Sequence, residues 1–309
     1  MAEYKGINGT KIQNYTSDPD NPLQGQVWYN ETSSTLKFSA GPLVDSWATG
    51  NSMNTERYAL AGTGTQTTTL AFGGLPSATE SYNGTNWTEV NNLNSGRYGL
   101  AGAGTNTAAL AFGGDPSGPK ALTETWNGTN WTEVNDLNTA KWLLAGAGAS
   151  NTAALAFGGA VTATTENWNG TNWTEVNDLN EAKYKLAGVG TNTAALAFGA
   201  EPATVNTELW NGTNWTEVNN LNTARNAAAG AGTKTAALAF GGEAPPPLAL
   251  TESWNGTNWT EVNDLNTARY WLGGSGTQTA GLAFGGAPSV SGATEEWGET
   301  GGIKTIDTD

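Results

Sequence analysis

The chain contains no cysteine and no histidine. The first absence excludes disulfides, thiolate metal sites and cysteine nucleophiles; the second removes the commonest metal ligand and the usual general base. Positive charge is also scarce. Thirteen Lys and Arg stand against 28 Asp and Glu, and the net charge of −15 opposes attraction to nucleic acid or anionic lipid. No apolar run approaches the ~20 residues of a membrane-spanning helix, and the opening MAEYKGINGTKIQ lacks the apolar stretch of a signal peptide. The expectation is a soluble protein with no signal peptide, no membrane insertion and no nucleic-acid partner. Without cysteine, the redox compartment stays open.

What is present is glycine, 42 of 309 residues, together with much Thr and Asn. This composition favours short strands joined by tight turns over long helices. Internal periodicity is more specific. Leu-Ala-Phe-Gly occurs six times, with its aromatic at Phe72, Phe112, Phe157, Phe198, Phe240 and Phe284. A second column holds Trp47, Trp87, Trp131, Trp173, Trp215 and Trp259, and a third holds Tyr82, Trp126, Trp168, Trp210, Trp254 and Trp297. The repeat is roughly 42 residues long, within the range of propeller blades.

Within one unit, residues 98–104, 107–112, 123–126 and 131–134 are short segments separated by Gly, Asn or Pro, as strands are. Asn127-Gly128 between the third and fourth predicts a type I′ hairpin turn, and Asn-Gly recurs at 83, 169, 211 and 255. Four antiparallel strands per unit follow. One such sheet cannot bury both faces, whereas blades stacked around an axis cover one another through large aromatics. The Ala- and Gly-rich first strand suits the innermost position, where blades converge.

The predicted fold class is therefore all-β: a six-bladed β-propeller of four-stranded antiparallel blades, with a solenoid as the competing arrangement. Five units are complete, but the sixth stops near Trp297 without a fourth strand. Trp47 occupies the fourth-strand column with no blade of its own, so residues 44–48 are expected to complete the last blade and close the ring.

A hydrophobic strand ending in Phe-Gly-Gly, then Glu-x-Trp/Tyr, then a Trp in the next strand resembles the kelch repeat, over residues 42–298. The resemblance implies a propeller, and kelch-like propellers serve as adhesion modules, scaffolds and oxidase domains. Residues 1–41 lie outside the repeat. Gly25-Gln-Val-Trp-Tyr-Asn30 followed by Thr35-Leu-Lys-Phe38 predicts a small β-hairpin. This segment is similar to short N-terminal modules of bacteriophage virion proteins, particularly marine phage fibres. It reads either as an attachment peptide or as a hairpin capping the propeller. Residues 299–309 are polar and predicted to form a loosely ordered tail.

Columns that stay fixed between repeats build the scaffold, and columns that vary are free to specialise. Loops joining the first two strands, and the last two, repeat Gly-Thr-Asn-Thr and Asn-Gly-Thr-Asn. The opposite face carries the length variation, at 75–78, 115–122, 160–164, 201–206, 243–250 and 287–293. It also carries the start of each first strand, where Tyr58, Tyr98, Trp142, Tyr184, Asn226 and Tyr270 form one column and Ala59, Gly99, Leu143, Lys185, Ala227 and Trp271 the next. Binding is expected there. Tyr58, Tyr98, Trp142, Tyr184, Tyr270 and Trp271 suit stacking on sugar rings or capture of a peptide, or alternatively plug the channel.

One basic residue precedes each of these columns: Arg57, Arg97, Lys141, Lys183, Arg225 and Arg269. They are candidates to receive an anionic ligand such as an acidic glycan, or to pair with Glu80, Glu124, Glu166, Glu208, Glu252 and Glu295, or with Glu89, Glu133, Glu175, Glu217 and Glu261. Asn-Gly-Thr and Asn-Trp-Thr match the glycosylation pattern but are more simply turn chemistry. Asp136, Asp178 and Asp264 do not form a clustered ligand set, so no metal is assigned. No cofactor is expected. A galactose-oxidase-like copper site needs His and Cys, and the sialidase Ser-x-Asp-x-Gly-x-x-Trp box is missing. The repeat's near-symmetry offers no unique carboxylate pair for a glycosidase.

These features lead to an expected function as a non-enzymatic virion-surface adhesion or structural protein of a bacteriophage, a tail fibre or decoration component. Its N-terminal segment would contact other virion proteins while the propeller face meets a host surface glycan or protein. The alternatives are a lectin-like or protein-binding propeller with no virus involved, and a purely structural scaffold.

Overall fold

The structure is a computed structural model and describes residues 12–20, 22–39, 44–115, 117–159, 162–300 and 303–306. Among these residues the fold is all-β, with seven four-stranded sheets and no helix that could cross a membrane. The chain divides into two compact units, residues 47–298, and residues 1–46 together with 299–309.

The larger unit carries the repeat. Its first sheet runs Tyr58–Thr65, Thr68–Leu75, Ala78–Tyr82 and Trp87–Glu89, each strand antiparallel to the next. Sheets beginning at Ala101, Ala145, Ala187 and Ala229 repeat this order. The sixth joins Gly273–Gly276, Gly281–Phe284 and Thr294–Thr300, and takes Val44–Gly50 from the other end of the sequence as its fourth strand. Repeated four-stranded antiparallel sheets of this kind are what a propeller-like fold requires.

Every residue of the second strands Ala109–Phe112 and Ala237–Phe240 is buried. Continuous Ala-Leu-Ala-Phe, instead of an apolar and polar alternation, is the pattern of a strand covered on both faces. The cover comes from neighbouring sheets. Phe157 lies tilted against Trp215 of the next sheet, with ring centroids 4.8 Å apart. The corresponding pairs are Phe72–Trp131, Phe112–Trp173, Phe198–Trp259, Phe240–Trp47 and Phe284–Trp87. Such tilted contacts add about 0.5–1.5 kcal/mol each beyond the area they bury. The indoles are also tied by their N–H groups. Trp173, Trp215, Trp259, Trp47 and Trp87 donate to the hydroxyls of Thr123, Thr165, Thr207, Thr251 and Thr294 in the preceding sheet, at 3.0–3.2 Å. The equivalent Trp131 indole and Thr79 hydroxyl have no partner among the described residues.

The same phenylalanines explain one column of glycines. A Cβ built on Gly188 falls 2.4 Å from Phe157 Cζ, and one on Gly102 falls 2.5 Å from Phe72 Cζ. The phenyl ring of one sheet therefore rests on the bare backbone of the next.

Two local expectations are corrected. The first strand of the second repeat is Ala101–Gly104 and does not start at Tyr98, which forms an isolated bridge with Asp115 ahead of the left-handed Gly99 (φ 60°). The Asn-Gly turns are four-residue loops and not type I′ turns. In residues 127–130 only Gly128 has positive φ, and Asn127 Oδ1 accepts the N–H groups of Thr129 and Asn130 at 2.9 Å.

The smaller unit is one sheet. Val27–Asn30 pairs antiparallel with Thr35–Ser39, placing Val27 opposite Phe38. Gln13–Tyr15 adds parallel to the first of these strands. Ile303–Ile306 adds antiparallel to the second, so this part of the predicted tail is a paired strand. Trp28 is buried and donates to Asp18, which also accepts from Asn30 at 2.7 Å and pairs with Lys37 at 3.2 Å. Residues 1–11, 40–43 and 307–309, included in the expected attachment segment, domain start and tail, lie outside the described residues.

Tyr82 departs from the repeat. Where other sheets have Trp126, Trp168, Trp210 and Trp254 donating to backbone carbonyls, Tyr82 donates its hydroxyl to Glu296. Burial, then the Glu296 hydrogen bond, raises the phenol above its ordinary value. A raised folded-state value means a contribution that is complete below the unfolded value of about 10 and is lost as pH rises beyond it. Tyr82→Phe is thus expected to flatten the decline of stability above pH ~10, measured by denaturant titration across alkaline pH. Gly188→Ala is expected to cost about 1–3 kcal/mol by overpacking against Phe157, read as a lower midpoint in the same titration.

Candidate functional site

The mouth of the repeat unit is built on a backbone irregularity that recurs in every sheet. Ala59, Leu143, Lys185, Ala227 and Trp271 have φ between 51° and 55°, and Gly99 has φ 60°. Left-handed backbone costs a residue with a side chain about 1–2 kcal/mol. Hydrogen bonding accompanies it. Gly99 N–H donates to Ala59, Leu143 to Gly99, Lys185 to Leu143, Ala227 to Lys185, Trp271 to Ala227, and Ala59 to Trp271, all at 2.7–2.8 Å. Each of the six thus gives one bond and receives one.

Above this circuit is a cavity of about 490 Å³. Its lining includes Tyr58, Tyr98, Trp142, Tyr184 and Trp271, contributed by five different repeats, with Leu75, Leu143 and Lys185 among them. Tyr58 and Trp271 are stacked, their planes 15° apart and centroids separated by 5.6 Å. The volume falls in the range of small-ligand sites. Spaces lined by the circuit itself and by the first strands are only about 90 and 110 Å³.

Five of the six candidate aromatics are therefore brought together. Tyr270 does not line the cavity: it exchanges backbone hydrogen bonds with Ala287 and packs against Trp271 at 5.3 Å. Asn226, which replaces an aromatic in that column, is buried, and its side-chain oxygen has no partner among the described residues. The Trp271 indole N–H is likewise buried and unpartnered, a cost of about 1–3 kcal/mol for a polar group away from water.

Lys185 is the charged group of the cavity. Its Nζ lies 3.5 Å from Glu201, 3.8 Å from Glu243, 5.4 Å from the Trp271 ring centroid and 6.0 Å from that of Tyr184. Lys185 is the one charged residue of its sequence column, a signal that was legible. Glu201 and Glu243 stand three residues after Phe198 and Phe240, in a column that holds Leu75, Asp115, Ala160 and Ala287 in the other repeats.

The six candidate cations are elsewhere. Arg57, Arg97, Lys141, Lys183, Arg225 and Arg269 are buried and paired with Glu80, Glu124, Glu166, Glu208, Glu252 and Glu295. The partners are the first set of glutamates, and burial removes these cations from any ligand-facing surface. Glu124 shows the arrangement. It accepts from Arg97 at 2.6 Å, from Asn94 N–H at 2.8 Å, from the Asn94 amide at 3.0 Å and from Ser95 N–H at 3.4 Å. The loop entering each sheet is thereby clamped to that sheet's third strand. Burial lowers the affinity of Arg97, Lys141, Arg225 and Arg269 for their protons, opposed by the facing carboxylate, and pulls Arg57 down to about 10.

The acids Asp136, Asp178 and Asp264 accept the N–H groups of Thr123, Thr165 and Thr251 at 3.0 Å. Among the described residues no three acidic side chains group as metal ligands would. A scan of protein-family models and a search of curated proteins each return no match to this chain.

Removing one member of a buried pair strands the other. Glu124→Ala is expected to cost about 3–5 kcal/mol in denaturant unfolding, and replacing Arg97 and Glu124 together by apolar residues is expected to recover much of that loss.

Proposed function

We propose that this chain is a non-enzymatic binding module: a six-bladed kelch-like propeller, closed by the strand around Trp47, that takes a small ligand at its aromatic mouth. The observation that carries the reading is the cavity of about 490 Å³ lined by five aromatics from five repeats. Each ring offers a flat apolar face with a polar edge, and a ligand stacked among several gains about 0.5–1.5 kcal/mol per ring beyond burial. Closure is supported by two series that come back to the first sheet, the Phe–Trp contacts ending in Phe284–Trp87 and the backbone circuit ending in Ala59–Trp271. The six buried ion pairs serve the scaffold and leave the mouth to specialise.

In the same reading the protein is an adhesion or decoration component of a bacteriophage particle. The support is the sequence resemblance of residues 25–38, whose strands Val27–Asn30 and Thr35–Ser39 form a hairpin. Its N-terminal segment meets other virion proteins, and its mouth meets a ligand on the host surface. A lectin-like propeller outside any virus makes the same use of the cavity.

Two measurements test this. Calorimetric titration of a small-ligand panel into the full chain is expected to find a binder that Trp142→Ala and Trp271→Ala each weaken about tenfold, equivalent to ~1.4 kcal/mol, with unfolding midpoints little changed. Retention of affinity in both variants sinks the assignment of the cavity. Immunodetection in purified phage particles tests the virion reading, which fails if the protein is absent from them.

A further inference from the structure

The cavity's charge is at odds with an acidic ligand. Its one lining cation, Lys185, is held by two carboxylates, Glu201 and Glu243, at 3.5 and 3.8 Å, so the three groups together are negative. The six other cations of the repeat are buried in their own pairs and do not reach it. The six buried cations are matched by six buried glutamates, so the chain's excess of 15 negative charges is carried by its other residues. Anions are repelled.

The rings point the same way. Aromatic faces carry negative charge density and attract cations within about 6 Å of the ring centre. Lys185 already demonstrates this inside the molecule, its ammonium lying 5.4 Å from Trp271 and 6.0 Å from Tyr184. The lining has no Asp, Asn, Gln or Arg, the side chains that would hold sugar hydroxyls in pairs. A primary ammonium seeks three acceptors. A quaternary ammonium seeks none, is weakly hydrated, and is satisfied by ring faces and a negative field.

We infer that the cavity accepts the quaternary ammonium head of a choline-class ligand, seated against Tyr58, Tyr98, Trp142, Tyr184 and Trp271, with Glu201 and Glu243 supplying the counter-charge. This rests on the reading of the cavity as a binding site. Lys185 is the resident cation that such a ligand must tolerate.

The test is calorimetric titration of the full chain with choline, its neutral isostere dimethylbutanol, methyl glucoside and glucuronate, repeated on Lys185→Met and on the double variant Glu201→Gln with Glu243→Gln. Choline is expected to bind at least about tenfold more tightly than dimethylbutanol. Lys185→Met should raise the preference for choline over dimethylbutanol severalfold by removing a like charge, and the double variant should lower that preference by a similar factor. Equal affinity for choline and dimethylbutanol overturns the proposal, as does a lower preference for choline over dimethylbutanol in Lys185→Met. Binding of methyl glucoside or glucuronate without choline overturns the ligand class and leaves the cavity as a binding site. Absence of binding by all four probes overturns this inference, and the wider panel then decides the cavity separately.

Discussion

The contact on which the larger unit depends is a phenyl ring laid on a glycine. In each repeat the phenylalanine of the second strand rests on the bare backbone of the neighbouring sheet's first strand and is met at a steep tilt by that neighbour's indole, as Phe157 is by Gly188 and Trp215. The hydrophobic effect has no direction, but this three-part fit does. It fixes how far apart two sheets stand and how one is rotated on the other, because interiors pack like crystals and yield little. Thr hydroxyls that receive the indole N–H groups remove the one polar penalty of burying tryptophan there.

A second constraint follows from the first. Sheets packed this closely bring their first strands together, and small side chains line the place where they converge, mostly Ala and Gly as in Ala101–Gly104, with Thr63, Val189 and Ser275 among them. The chain must then cross to the next sheet over the opposite rim. It is held during that crossing by a carboxylate that gathers two backbone N–H groups, an amide and a cation, the arrangement at Glu124. Buried pairs of this type contribute less to net stability than to uniqueness, since a loop displaced by one residue strands a charge.

Much of this was legible in the residues. Three aromatic columns and Asn-Gly punctuation marked the strands, and the orphan Trp47 pointed to the fourth strand of the last sheet, where it lies 5.5 Å from Trp297. The mouth was legible in part. Variation against a fixed background singled out Tyr58, Tyr98, Trp142, Tyr184 and Trp271, but the same rule also offered Tyr270, which neighbours the cavity without lining it. Charge was harder to read. A ring of six cations looks alike in sequence whether it faces solvent or carboxylates, and only depth separates the two. Glu201 and Glu243 share one column, three residues after the Phe of each repeat, but nothing in the sequence tied that column to Lys185, which belongs to a different strand. The strand Ile303–Ile306 was missed because its partner lies more than 260 positions earlier, at Leu36–Ser39, beyond any local pattern.

Near-identical repeats raise a problem of address. Five of the interfaces use interchangeable chemistry, so a sheet meeting another by chance, in its own molecule or in a second copy, has little to tell a correct neighbour from a wrong one. The junction of first and last sheets is different: Tyr82 replaces the tryptophan of its column, and its hydroxyl finds Glu296 in a column otherwise filled by Ser81, Thr125, Asn167, Leu209 and Ser253. A tryptophan at 82 would lack the hydroxyl, and a serine or leucine at 296 would lack the carboxylate. The pair therefore works as a lock and key that no other two sheets of the repeat can reproduce.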